Sequence, residues 1–327
     1  MLSKKKFINT LILFILVFCN CPLIYAQVDS SYIQAFDQDF STRIYAHDKF
    51  AGFDKVIGED ETIYKTNNPV NIGLGITWKH YTFSFSYGFD YLRDKKKGKT
   101  HSLEFQHHSY GQRIMYDIFL QQHEGLYHDI ENTDNKYTLH PDIQFDMYGG
   151  SLQYILNHKK FSARAAFNLN EKQVKSAGSF LIGGSVYYSK VQTDSTLLFD
   201  KMDKKHKNLQ LGASLGYAYN WAISRRWTAT IYASGGITMG NNHPSRFFEE
   251  KMMIYPAFNA RFALGYNAKT WSVGTTFMLN KVFLFYDDNQ SLSMDNQQIQ
   301  LTIVKRFHWR NKFVNNTLDK TKRKLRL

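Results

Sequence analysis

The run Tyr81-Thr82-Phe83-Ser84-Phe85-Ser86-Tyr87-Gly88-Phe89-Asp90-Tyr91 sets an aromatic ring at every second residue, with a small or polar residue between each pair. Successive side chains of a β-strand point to opposite faces, so all of these rings share one face. A helix would scatter them around its circumference. The same period of two returns, in segments of about ten residues, from residue 70 to residue 309. It is carried by Ile72, Leu74, Ile76 and Trp78; by Phe161, Ala163, Ala165, Phe167 and Leu169; and by Leu209, Leu211, Ala213, Leu215, Tyr217, Tyr219 and Trp221. It continues in Trp227, Ala229, Ile231 and Ala233; in Phe258, Ala260, Phe262, Leu264 and Tyr266; in Trp271, Val273, Thr275, Phe277 and Leu279; and in Ile299, Leu301 and Ile303. No helical period competes, so the expected fold is all-β.

Alternation alone leaves open which face is buried, because a soluble β protein has the same period. The other face settles the expectation. It reads Thr82-Ser84-Ser86-Gly88, Gln210-Gly212-Ser214-Gly216 and Thr228-Thr230-Tyr232-Ser234, where a soluble sheet would present Lys and Glu to water. Small, weakly polar residues suit a confined lumen, and a continuous apolar face suits lipid. A closed barrel is also the one sheet that leaves no backbone group unpaired in hydrocarbon. The expected architecture is an antiparallel up-and-down transmembrane β-barrel of about 12 strands, with 10 to 14 allowed. A soluble secreted β protein is the alternative, and salt or carbonate extraction separates the two.

The tryptophans agree with a membrane interface, where an indole keeps its body in hydrocarbon and its N–H in the headgroups. Trp78, Trp221, Trp227, Trp271 and Trp309 each stand beside a short turn or at the end of the last strand, so all should lie at one level. Short turns at 79–80, 110–113, 157–160, 222–226 and 267–270 alternate with longer loops at 92–99, 122–142, 170–177, 239–253 and 287–296, as in outer-membrane barrels. Long connections at 170–177 and 191–208 follow one another and break that parity.

The chain ends read differently. Lys4-Lys5-Lys6 precedes an apolar stretch from Phe7 to Phe18, and Ala26 offers a small residue for cleavage, so 1–26 is expected to be a signal peptide. The expected location is the cell outer membrane. Both cysteines, Cys19 and Cys21, fall inside that segment, which leaves no thiol for a disulfide or a metal. Residues 27–66 form a less regular lead-in with room for one strand near Phe40 to Asp48, 67–309 the barrel, and 310–327 a tail with seven basic residues against Asp319. Since the whole chain carries a net +13, the basic balance is largely a property of the tail. Its expected partner is acidic periplasmic or cell-wall material, and no nucleic-acid partner is implied.

Three stretches carry a family resemblance: Tyr110-Gly111-Gln112-Arg113 leading into Tyr116-Asp117-Ile118-Phe119-Leu120-Gln121-Gln122 and Gly125-Leu126-Tyr127; Ser176-Ala177-Gly178-Ser179-Phe180-Leu181-Ile182-Gly183-Gly184-Ser185; and Gly216-Tyr217-Ala218-Tyr219-Asn220-Trp221. With these the chain resembles an uncharacterised outer-membrane β-barrel family of Gram-negative bacteria, a domain of unknown function. The resemblance implies a fold and a location, and no activity. The basic tail after Trp309 departs from the usual aromatic ending of such barrels.

Little in the sequence points to catalysis. His123-Glu124-Gly125-Leu126-Tyr127-His128 misses the zinc-protease spacing, because the second histidine comes five residues after the first instead of four. His101-Ser102 and His107-His108-Ser109 pair a nucleophile with a base, but adjacent strand residues face opposite ways. No catalytic residue, cofactor or metal site is therefore expected. By alternation Glu104, Asp117, Arg164 and Arg261 should point into the lumen, where mixed charges either pair across it or line a polar path. The expected role is a narrow channel or an envelope structural or interaction protein, in contact with outer-membrane lipid and the outer-membrane assembly machinery. The alternative is an outer-membrane enzyme, a lipid hydrolase or a protease.

Overall fold

The computed structural model describes residues 28–308 apart from 39, 79–80, 131–135, 194–204 and 288. The expected signal peptide, Trp309, the basic tail and the 79–80 turn lie outside the described residues. Among those described, fifteen strands and one helix succeed one another: β1 (Ile33–Ala35), β2 (Phe40–Ile57), β3 (Asp60–Lys65), β4 (Asn71–Trp78), β5 (Tyr81–Gly88), β6 (His101–Tyr110), β7 (Ile114–Asp129), β8 (Tyr137–Ile155), α1 (Ala163–Phe167), β9 (Glu171–Gln173), β10 (Ala177–Gln192), β11 (Lys205–Ala222), β12 (Trp227–Asn241), β13 (Met253–Asn267), β14 (Trp271–Asp287) and β15 (Gln290–Phe307).

The antiparallel ladder runs β7-β8-β10-β11-β12-β13-β14-β15-β2. Its last step joins the first wall strand to the last, from Phe40↔Phe307 to Ile57↔Gln290, so the sheet closes on itself. On the remaining side the chain descends in two pieces. β3 bridges from β2 to β7 through the single pair Lys65↔Tyr127, while β4 stays on β2 and carries β5. Residues 66–70 between them include Pro69, which has no N–H to give a ladder. β6 hangs from β7. Among the described residues no ladder joins β5 to β6, which leaves a seam in the wall. Taking β3 and β4 as one descent, the wall makes twelve passes, in line with the expected count.

Both Phe40 and Phe307 sit at one end, here called the terminal end. Outward positions carry exposed apolar side chains, among them Leu74 at 64%, Leu215 at 67% and Phe180 at 66%. Trp78, Trp221, Trp227 and Trp271 all face outward at the terminal end and are exposed. Tyr266 lies between Trp227 and Trp271, with ring centres 5.2 and 5.1 Å away.

The interior differs from a small-residue lumen. Far from the terminal end, Phe53, Tyr64, Phe119, Ile143, Phe145, Met147, Tyr187, Leu284 and Met294 pack into one buried cluster. A second cluster at the terminal end joins Met115, Ile155, Leu181 and Tyr232 to Phe161, Ala163 and Ala166. Strands such as β8, with 19 residues, far exceed the roughly 9–11 that cross a bilayer. Their far halves are apolar inside and polar outside, the reverse of the membrane band.

That reversal also corrects element boundaries. The expected loops at 122–142 and 287–296 are mostly strand, and the strand for which the lead-in had room near Phe40 to Asp48 is the first of the wall and runs on to Ile57. Charges at Arg43, Asp48 and Lys49 hide the alternation of β2. At the other extreme, β5 stops at Gly88 and a 3-10 turn occupies Asp90–Leu92, so Phe89 and Tyr91 continue the aromatic run without continuing the strand. The parity break resolves too. Residues 161–169 are not a wall strand: Phe161 is fully buried, Ser162 caps α1 through Ala165 N–H at 3.0 Å, and Ala163, Ala165 and Ala166 are buried. Three alanines are strong helix formers and small enough to tuck inside. The whole connection 156–176 folds into the terminal mouth instead of crossing the membrane.

Candidate functional site

The insert 156–176 is held by named contacts. Asn157 donates its side-chain N–H to Gly178 O at 2.8 Å and its backbone N–H to Ser179 Oγ at 2.8 Å. β9 pairs with β1, and the lead-in is anchored by Asp29 N–H on Lys159 O at 2.9 Å and by the Lys160 and Lys175 ammonium groups 5.2 and 5.3 Å from the Tyr32 ring centre. Hydrogen bonds from Ser31 hold the Asp29 carboxyl below its ordinary range. Two wall arginines point inward onto the insert. Arg43 donates to the Asn168 side chain, to Asn170 Oδ1 at 3.2 Å and to Thr77 Oγ1 at 3.2 Å; Arg306 donates to Leu169 O and to Ser272 Oγ at 2.8 Å.

Leu169 adopts a φ of 56° and reaches the wall where β13 and β14 pair Gly265 with Gly274. A Cβ on Gly265 would lie 2.8 Å from Leu169 Cδ2, and one on Gly274 would lie 3.0 Å from Leu169 Cδ1. Glycine at both positions is what lets the insert seat so closely.

Above the insert lies a layer of paired charges. Asp117 on β7 accepts from Arg261 on β13 and pairs with His108 on β6. Arg261 also donates to the Tyr110 hydroxyl at 3.1 Å, and its guanidinium lies 5.8 Å from the ring centres of Tyr110, Phe167 and Tyr232. Phe167 belongs to α1, so the ion pair and the insert share a boundary. Asn296 donates to Gln121 Oε1 at 2.6 Å, and Gln153 donates to Ser214 Oγ at 2.8 Å.

A second polar cluster borders the seam. Ser102 and Glu104 are alternate residues on the inward face of β6, and His123 on β7 is the cross-strand partner of Ser102. Ser102 Oγ lies 2.8 Å from His123 Nδ1 and 2.7 Å from Asn68 Oδ1. His123 Nε2 lies 3.6 Å from Glu104 Oε1, and Glu104 pairs with Lys49 of β2. Two irregularities set this geometry. The break between β3 and β4 brings Asn68 over Ser102, pinned by Asn67 N–H on Thr100 Oγ1 at 2.8 Å. A bulge at Gly125, with φ 80°, follows His123, and its carbonyl accepts from Thr100 Oγ1 at 2.6 Å.

Of the four charges expected in the lumen, Glu104, Asp117 and Arg261 do face inward from the wall. Arg164 does not belong to the wall. It lies on α1, donating to Tyr110 O at 3.0 Å and pairing with Glu171 at 3.1 Å. Lys49, Arg43 and Arg306 are absent from the sequence reading, and Ser102 and His123 enter it only in motifs rejected for facing and spacing. For Arg306 the signal was legible, since it continues the inward row of β15; for the rest, cross-strand register was needed. His128, the other end of the failed zinc motif, stacks on His140 with 2.8 Å between ring nitrogens. Among the described residues no group of three or more His, Cys, Asp and Glu is placed to hold a metal ion.

Comparison with solved structures finds the outer membrane protease OmpT from Escherichia coli at 10% identity over 84% of this chain and 98% of that one, with a TM-score of 0.33. The P. putida toluene transporter TodX is similar at 8% identity over 84% of this chain and 91% of its own, with a TM-score of 0.29. No curated protein matches the chain. Residues 27–307 match a family described as a domain of unknown function (DUF4421). An all-β closed barrel with its own insert is thus the form taken here by this family, and the chain belongs to DUF4421.

Proposed function

We infer that the protein is an integral outer-membrane barrel with a closed interior, an envelope scaffold that carries fixed sites on a rigid wall and has no standing pore. The outward apolar band, the tryptophans at one end and the basic-apolar N-terminal segment support the location. One observation carries the closed interior: the mouth at the terminal end holds the insert 156–176 clamped by Arg43 and Arg306, and the far half is filled by the Phe53–Tyr187–Leu284 cluster. Close-packed side chains leave no continuous path for hydrated ions. Charges that pair across a lumen, as Asp117 and Arg261 do, stiffen it instead of lining a path.

The test is conductance of the refolded protein in planar bilayers, with heat-modifiable gel mobility as the folding control. Electrical silence of the wild type, retained in an Arg43→Ala/Arg306→Ala variant because the far cluster stays in place, is the expected result. Steady ion-selective conductance of the folded wild type would overturn the reading and make the protein a channel.

A further inference from the structure

We propose that Ser102, His123 and Glu104 form a serine esterase centre that opens through the β5–β6 seam and cleaves acyl esters of membrane lipid. The sequence argued against a catalytic serine because each serine and its adjacent histidine on β6 face opposite ways. Cross-strand pairing supplies the base from elsewhere. Ser102 is exposed, whereas the His123 side chain is 0% exposed and makes the 2.8 Å contact through Nδ1. Nucleophile, base and carboxylate follow one another as in a hydrolytic triad, with the two ring nitrogens exchanged so that Nδ1 faces the serine and Nε2 the carboxylate.

The other ring nitrogen adds a separate observation. His123 Nε2 is buried with no hydrogen-bond partner, and Glu104 Oε1 lies 3.6 Å from it. A proton on Nε2 faces that carboxylate just beyond hydrogen-bond reach and leaves the Nδ1 lone pair for the Ser102 hydroxyl once its O–H turns from Asn68. Apo catalytic hydrogen bonds are commonly long and tighten on substrate binding. Lys49 holds Glu104 from the opposite side and fixes its orientation. Asn68 Oδ1 accepts from Ser102 Oγ at 2.7 Å while its amide N–H lies 3.5 Å from Glu104 Oε1; turning that side chain frees the Ser102 proton for His123 and brings the N–H over Oγ, where it can donate to an oxyanion.

The chemistry balances without any further reagent. Ser102 Oγ bonds to the ester carbonyl carbon as its proton passes to His123 Nδ1. The bond from that carbon to the alkoxy oxygen breaks, and the same proton goes to the departing alcohol. Water then gives a proton to Nδ1 and attacks the acyl carbon; the bond from that carbon to Ser102 Oγ breaks and Nδ1 returns the proton to Oγ, releasing a carboxylic acid and free Ser102.

Lipid as the substrate class follows from where the site sits. On β7 the outward residues run Ile114, Tyr116, Ile118 and Leu120, then turn polar at Gln122 and Glu124. Ser102 pairs with His123, so it lies level with that change, at headgroup height. The seam beside it is flanked by outward Leu103, Phe105, Phe85 and Tyr87, exposed by 56 to 73%, which offers an acyl chain an apolar track. This inference is independent of whether the barrel conducts.

The experiment uses the refolded full-length protein in detergent micelles, with a fluorophosphonate probe and p-nitrophenyl esters of graded acyl length. Expected are covalent labelling of the Ser102 peptide by mass spectrometry and preference for long acyl chains over soluble short ones. Hydrolysis should fall by about 10³-fold or more in Ser102→Ala and in His123→Gln, with gel mobility unchanged. Glu104→Gln should weaken labelling and displace the pH profile, which a merely structural carboxylate would not do. Absence of labelling in folded wild type, labelling at another residue, or undiminished hydrolysis in Ser102→Ala would overturn the esterase. Faster hydrolysis of short soluble esters would overturn the lipid assignment.

Discussion

Removing one member of the Asp117–Arg261 pair should destabilise the barrel more than removing both. Their side chains are 13% and 8% exposed, and the guanidinium is ringed by Tyr110, Phe167 and Tyr232. In Asp117→Leu the arginine keeps its charge and a bond to the Tyr110 hydroxyl but loses its counter-ion, a change that costs about 3–5 kcal/mol for a buried pair. That is a factor of about 10² to 10⁴ in the folding equilibrium. An Asp117→Leu/Arg261→Met double variant removes both charges and restores apolar contact with the same rings. It should lie within about 1 kcal/mol of wild type, because apolar replacement of a whole buried pair is often neutral. The coupling between the two sites is therefore expected to exceed about 2 kcal/mol, well above the additive error for independent sites. Urea unfolding in detergent, followed by tryptophan fluorescence and gel mobility, measures Asp117→Leu, Arg261→Met and the double variant. A single-variant cost under about 1 kcal/mol, the value for exposed pairs, would refute the reasoning: water would then reach the pair, and the interior would be neither dry nor closed.

Two further outcomes follow from the wall. Leu215→Lys places a charge at an outward position that is 67% exposed, and should cost about 2–4 kcal/mol in lipid if that face meets the bilayer midplane; an unchanged unfolding midpoint in bilayers would remove Leu215 from the band. Gly265→Val drives a side chain into Leu169, whose Cδ2 lies 2.8 Å from where the new Cβ would stand, so limited proteolysis of 156–176 should quicken while the barrel keeps its gel mobility; an unaltered cleavage rate would mean that Leu169 does not hold the insert.

The membrane band was legible residue by residue. Trp227-Ala229-Ile231 and Phe258-Phe262 meet lipid on one side and a crowded interior on the other, and only a period of two satisfies both. Legibility fails where that constraint lapses. Above the band the wall of β7 and β8 meets water outside and a core inside, so Gln122 to Asp129 looked like loop. The insert misled for the opposite reason: Phe161, Ala163 and Ala165 alternate as strand residues do, but Ala163 and Ala166 also lie on one helix face, and so short a run fits both periods.

The candidate site divides along the same line. Glu104, Asp117 and Arg261 follow from alternation, because facing direction is local. Their partners do not. Which residue of β7 meets Ser102 depends on a register set by the Gly111 turn, and a slip of one residue would send His123 to the outer face. Lys49 reaches Glu104 from β2 only because the barrel closes between β2 and β15 and leaves the seam at β6. By itself the sequence determined an all-β membrane barrel of about twelve passes, since period, composition and backbone satisfaction in lipid are properties of each strand alone. Only the tertiary structure decided that apolar clusters pack the interior, that 156–176 folds inward, and that serine, histidine and glutamate meet at a seam. Those outcomes rest on register and closure, which join residues from strands far apart in the chain.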